Sequence, residues 1–202
     1  MKKSTRNLII ILAVIAFIIL LSVRYVVKTY DKAVAYEEQV KAEWGNVQSA
    51  YQRRADLIQN LVNTVKGVRD FEQETLVQVI EARAKATSIN IDPARVNAES
   101  LQAFQQSQGA LSSALSRLMV VVERYPELKA NQNFLELQAQ LEGTENRINV
   151  ARIKYNESVK TYNSHIRGLV KRWALNIAGG DFEVKGAFAA EQGSEVAPTV
   201  EF

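Results

Sequence analysis

The sequence predicts an all-α protein: an antiparallel up-and-down helical bundle, of four helices or three long ones, following an N-terminal transmembrane helix. Three observations predict it. Only 3 Pro and 9 Gly among 202 residues leave long stretches free of helix breakers. Residues 8–23, LIIILAVIAFIILLSV, carry no charge. Apolar residues recur every seven positions near both ends of the chain, a spacing that puts them on one face of a helix.

The uncharged run is slightly short for a spanning helix, which takes about 20 residues. Arg24 can snorkel, and Tyr25, Val26 and Val27 extend the apolar surface, so the span is set at 7–27, with 1–6 as a short tail. Tyr25 and Tyr30 suit an interfacial belt. No small-x-small cleavage signature follows Leu21, which argues against a removable signal peptide. Lys2, Lys3 and Arg6 before the span balance Arg24, Lys28 and Lys32 after it. The short N-terminal tail is expected to stay inside, which places the domain outside the cytoplasm as a single-pass cell-membrane protein.

From Tyr30 to Thr87 there is no proline. One seam position holds Tyr30, Trp44, Tyr51, Ile58 and Val65; the other holds Ala33, Val40, Val47, Leu61 and Val68. A straight helix over this stretch would measure about 87 Å. A reversal near Gly67 gives four helices, and its absence gives three. Asp92-Pro93 marks the next start, a capping residue before proline at the first helical position. Leu101, Phe104, Leu111, Leu115, Leu118, Val122 and Tyr125 define a helix over 98–124, stopped by Tyr125-Pro126. The last helix is expected over 127–173. Its seam is Phe134, Leu141, Ile148, Tyr155, Tyr162 and Leu169, with Asn149, Asn156 and Asn163 each following a seam residue. The bundle domain is thus 28–176. The glycine-punctuated residues 177–202 form a tail, lying on the bundle or disordered.

Composition narrows the chemistry. Zero Cys excludes disulfides, thiolate catalysis, Cys-ligated zinc and a lipoprotein cysteine. A net charge of +3 with interspersed signs fits a solvated helical surface, so no nucleic-acid partner is expected. No phosphate-binding loop, dinucleotide fingerprint or zinc-helix motif is present, and no cofactor or small-molecule substrate is indicated. One histidine, His165, cannot supply the paired Glu-x-x-His motifs of a di-iron bundle. It reads as an interior or flank residue; a hydrolase built on it is the remote alternative.

The polar residues that stand out are Arg53, Arg54, Asp56 and Asn60 on the first bundle helix and Glu142, Glu145 and Asn146 on the last. Arg54 falls on the seam, where a buried guanidinium needs a carboxylate, and Glu142 and Glu145 are the candidates. Asp56, Asn60 and Asn63 are placed to bond across to Asn146 or Asn149. A structural layer fixing helix register, or a contact for a partner, accounts for this set. Arg167, Lys171 and Arg172, with Trp173 beside them, close the last helix, the cations favourable at its C-terminus or the cluster a contact for anionic lipid head groups.

The blocks RRADLIQNLVNTVKG (53–67), EARAKA (81–86) and YPELKANQNFLELQAQLEGTENRINVARIKYN (125–156) carry a family resemblance. Val159, Tyr162, Asn163, Ala197-Pro198, Val200 and Phe202 continue it. The chain resembles the LemA family over nearly all of its length after the membrane segment. It departs from the family pattern at Gln59, where proline is usual, at Phe71-Glu72, where His-Glu is frequent, and at KRWALNIAGGDFEVKG after the last helix. The resemblance implies a small single-pass bacterial membrane protein with a helical domain and no established enzymatic activity. Some relatives carry a lipoprotein cysteine in place of the span, and neighbours are often envelope proteins. The expected function is therefore that of a non-enzymatic envelope interaction or scaffold module. It is held by lipid at 7–27 and partnered by another envelope protein or by itself; a lipid-contacting or membrane-shaping role is the alternative.

Overall fold

A computed structural model describes residues 3–69 and 71–189. The chain folds into α1 (Lys3–Lys66), α2 (Gln73–Ser88), α3 (Ala98–Val122), α4 (Pro126–Lys129), α5 (Gln132–Arg167) and α6 (Leu169–Ile177), with a 3-10 turn at Pro93–Arg95. No strand forms among the described residues. The protein is all-α.

Two compact units divide the chain: Met1–Val40 with Ser158–Val184, and Lys41–Glu157 with Lys185–Phe202. The second unit holds the main core. Here α1 ends at Lys66, and Val68 N donates to Val65 O (3.0 Å) as the chain turns. The reversal is fixed by what meets across it. Arg83 Nε on α2 donates to the Ala55 carbonyl of α1 (2.8 Å), Gln108 of α3 donates to the Ala86 carbonyl of α2, and Arg124 just after α3 pairs with Glu72 just before α2. The chain therefore reverses near Gly67, which excludes three long helices, and six helices form in all among the described residues. Its inner helices are α2 and α3, and α5 returns alongside α1. Leu57, Ile58, Leu61 and Val65 of α1 pack against α2, α3 and the starts of α4 and α5 in one apolar cluster. Burying each such side chain contributes roughly 1.5–3 kcal/mol.

Local chemistry sets the ends. Asp92 Oδ1 accepts from Ala94 N (2.9 Å), and Asn97 and Ser100 form a reciprocal capping box at the start of α3. The expected helix 127–173 is three helices. Leu128 is buried within the short α4, which ends at Lys129, and Asn131 Oδ1 caps α5 by accepting from Phe134 N (3.2 Å). Gly168 then adopts φ −60°, ψ 130°, which leaves the helical region and separates α6 from α5.

That break overturns one seam assignment. Phe134, Leu141, Ile148, Tyr155 and Tyr162 are buried, but Leu169, the next residue of the series, is 88% exposed. The heptad phase does not survive an extended residue.

In the first unit, His165 Nε2–H donates to the Thr29 carbonyl (3.0 Å), and its ring meets Tyr36 edge-on at 5.2 Å. Ala174 and Leu175 of α6 are buried. α6 closes with Gly179 at φ 71°, the left-handed region that favours glycine. Gly180 follows, where an added Cβ would lie 3.1 Å from Tyr30 Cε2. Phe182 then packs on Tyr30 with ring centroids 5.5 Å apart. The apolar start of α1, through Val23, is exposed, and this helix is long and apolar enough to cross a membrane.

Of the expected tail, residues 178–189 pack on the helices without regular structure; 190–202, with the Ala197-Pro198, Val200 and Phe202 matches, lie outside the described residues.

Candidate functional site

The seam of α1 brings Arg54 into the second unit, where it is 3% exposed. Its Nη1 donates to Glu145 Oε1 on α5 (2.9 Å) and to Ser112 Oγ on α3 (3.3 Å). Its Nη2 donates to Gln108 Oε1, also on α3. Gln108 Nε2 in turn donates to the Ala86 carbonyl at the end of α2 (3.3 Å). One guanidinium thus ties α1 to α3 and α5 directly and to α2 through a single amide. The Tyr51 ring lies 5.0 Å from Arg54 Cζ and offers a π face to the cation. Arg54 Nε and Trp44 Nε1 are buried without a hydrogen-bond partner among the described residues. Each such donor costs about 1–3 kcal/mol.

The other polar residues do not join this layer. Glu142 is exposed and accepts from Gln138 on its own helix (3.3 Å). It sits three residues before Glu145, not quite one turn, and that offset turns it away from Arg54. Arg53 is exposed and donates to Gln140 Oε1 (3.1 Å). The expected network from Asp56 and Asn63 across to α5 does not form. Asp56 accepts from Gln52 (2.8 Å) and Asn63 from Gln59 (3.1 Å), both one turn away on α1. Asn60, Asn146 and Asn149 are exposed. These positions lie on the solvent flanks of α1 and α5, where water satisfies them.

Two concavities flank the layer. A cavity of about 240 Å³ lies beside Trp44, Tyr51, Phe104 and Gln108, on the α2–α3 side of α1. An open groove of about 600 Å³ runs between α1 and α5, with Ser49 and Arg53 on one wall and Arg147, Val150 and Lys154 on the other. No group of three or more His, Asp or Glu side chains able to hold a metal occurs among the described residues.

A cluster that the sequence reading missed lies above the layer. Trp44 stacks on Phe188 (6.1 Å) and meets Phe104 (5.7 Å) and Tyr155 (5.4 Å). Asn156 clamps the Phe188 backbone on both sides: its Nδ2 donates to Phe188 O (3.1 Å), and its Oδ1 accepts from Phe188 N (2.8 Å). Tyr155 Oη donates to Gly186 O (2.9 Å), and burial pushes the Tyr155 phenol well above its usual range. Gly186 N donates to Val96 O (2.9 Å), and a Cβ at Gly186 would lie 2.7 Å from the Asn97 carbonyl carbon. Buried Lys185 donates to Ala94 O (2.5 Å). The Tyr-Asn repeat was the available signal: Asn156 follows a seam residue, where a side chain can reach a segment lying over the seam.

Of the cluster closing the expected last helix, Arg167 ends α5, while Lys171, Arg172 and the uncharged Trp173 lie on α6; Trp173 is 62% exposed.

Fold and layer together define a class: a helical bundle whose first helix begins with an exposed apolar segment long enough to cross a membrane, and whose buried polar cluster joins the helices. A model of the LemA family matches residues 43–202, and the chain belongs to that family. It is similar to Magnetosome protein MamQ 2 of Paramagnetospirillum magneticum, 27% identical over 183 residues, covering 82% of this chain and 64% of that protein. Magnetosome protein MamQ of Magnetospirillum gryphiswaldense is 26% identical over 170 residues, covering 76% and 61%. Protein LemA of Metamycoplasma hominis is 26% identical over 123 residues, covering 59% and 51%. The chain spans less than two thirds of the length of these relatives.

Proposed function

We propose that this chain is a non-enzymatic, single-pass, membrane-anchored module of the bacterial envelope that binds another envelope protein or a second copy of itself. The observation that carries this reading is α1, one unbroken helix from an exposed apolar start to the bundle core. Such a helix holds a packed domain at a bilayer, and a held domain acts through what it meets there. Family membership and relatives named as magnetosome proteins support the reading. The Arg54 layer contributes register rather than chemistry, since its hydrogen-bonding partners belong to the bundle itself. The contact face is the open α1–α5 groove, where Val150 is 51% exposed and Arg53, Arg147 and Lys154 supply positive charge. The bundle faces away from the cytoplasm.

A photo-crosslinking residue at Ser49 or Val150, both exposed, tests the face in intact membranes. A single discrete adduct, absent with the probe at Val120 on α3, is expected. An uncrosslinked monomer at both groove positions would overturn the reading.

A further inference from the structure

α6 carries an apolar face that none of the described residues covers. Leu169 (88%), Val170 (59%), Trp173 (62%) and Ile177 (57%) are all exposed. Successive helical residues turn by about 100°, so these four share a sector of roughly 100° on one side of the helix. Leu175 faces the opposite side and Ala174 borders the sector; both are buried. An exposed apolar stripe of this kind, with a tryptophan inside it, marks an interaction surface.

The position of α6 identifies the partner. Just before it, His165 is bonded to the Thr29 carbonyl at 3.0 Å. Just after it, Gly180 and Phe182 meet the Tyr30 ring. Both ends of α6 are therefore tied to α1 within three residues of Val27, where the apolar span ends. At 1.5 Å per residue, three residues are about 4.5 Å of helix, so α6 lies at the level of the bilayer surface. Charge agrees. Arg24, Lys28 and Lys32 on α1 join Arg167, Lys171 and Arg172, against Asp31, Asp181 and Glu183 in the same segments. Six cations and three acids suit anionic head groups.

We infer that α6 is an interfacial amphipathic helix, lying along the surface of the bilayer that α1 crosses, with Leu169, Val170, Trp173 and Ile177 at the boundary between head groups and acyl chains. Interfacial helices combine such an apolar face with flanking Lys and Arg, and tryptophan favours that depth. The inference rests on the reading of α1 as a membrane span and gives the module a second membrane contact.

The chain has two tryptophans, and Trp44 is fully buried in the bundle, so it serves as an internal control. Full-length protein is reconstituted into phosphatidylcholine–phosphatidylglycerol vesicles whose acyl chains carry bromine either near the carbonyl or near the terminal methyl. Trp173 emission is expected to be quenched, more by the shallow bromine than by the deep one. Trp173→Phe should abolish the quenchable component. Leu169→Glu with Val170→Glu should abolish quenching of Trp173 with helix content unchanged, since both side chains are exposed. Retention of the protein in membranes washed with alkaline carbonate, with Trp173 no more quenched than Trp44, would overturn the interfacial helix and leave the span intact. Release by carbonate would overturn both. Unquenched Trp173 together with crosslinked dimers through position 173 would assign the face to a second copy and overturn the proposal.

Discussion

At the scale of single residues, Arg54 and Tyr155 are the two polar groups whose removal is most informative. Arg54→Met takes away the donors that satisfy Gln108 and Glu145. A buried acceptor left unsatisfied costs about 1–3 kcal/mol, and chemical denaturation is expected to show a loss in that range. Glu145 is half-exposed, so water recovers part of what Glu145→Gln removes, and that change alone should cost less. In the double variant the losses should fall short of additive by about 0.5–3 kcal/mol, as for contacting groups. Strict additivity would mean that the ion pair contributes nothing. Tyr155 makes a different prediction, in pH. Its phenol titrates above the ordinary phenol value of 10.0 because it is buried, with Oη bonded to Gly186 O. The unfolded chain releases that proton first. The stability this contributes is therefore complete below pH 10 and declines as pH rises beyond it. Thermal melts should show Tyr155→Phe losing about 0.5–1.5 kcal/mol at neutral pH, from the missing hydrogen bond, and falling less steeply than the native chain on the alkaline side. Identical alkaline slopes would place the titrating group elsewhere.

At the scale of elements, what the sequence made legible was whatever repeats. The seven-residue series on α1 and α5 identified their buried faces because each position is read through neighbours a few residues away. Arg54 stood out as the one charge on that seam. The series misled at Leu169 because Gly168 breaks phase, and a glycine's choice between helical and extended backbone is made by tertiary packing. The choice of Glu145 over Glu142 turned on their offset along α5, finer than a seam assignment resolves. Asp56 and Asn63 were misassigned because exposed amides and carboxylates find partners one turn away more cheaply than across a bundle. The segment 185–189 was not legible at all. Its ties to Ala94, Val96, Trp44 and Asn156 join residues far apart in sequence and follow no period. That segment is testable as an element. Gly186→Ala would push a Cβ into the Asn97 backbone, which cannot step aside as a side chain can. Overpacking of this kind costs about 1–3 kcal/mol. Hydrogen exchange is expected to rise at residues 185–189 and 94–97 with α2 unaffected; exchange unchanged at both segments would show that the tail is not held by this contact. Asn156→Ala should release the same segment by removing the clamp on Phe188.

At the scale of the whole molecule, the apolar start of α1 from Ile9 on is exposed, and the helix is long and apolar enough to cross a lipid bilayer. Which side of that lipid the bundle occupies decides what it can meet. Charge flanking the span is balanced, three against three, so the positive-inside rule does not discriminate, and the extracytoplasmic bundle we propose is a matter for direct measurement. The absence of cysteine makes the point cleanly measurable, since any introduced thiol is the only one in the chain. Ser113 is an exposed position on α3, and Ser4 precedes the span. With Ser113→Cys, a membrane-impermeant maleimide is expected to label the protein in cells with an intact inner membrane; with Ser4→Cys it should label only after detergent. The reverse pattern would put the bundle in the cytoplasm, and its partners, including the lipid head groups facing α6, would then be those of the inner leaflet.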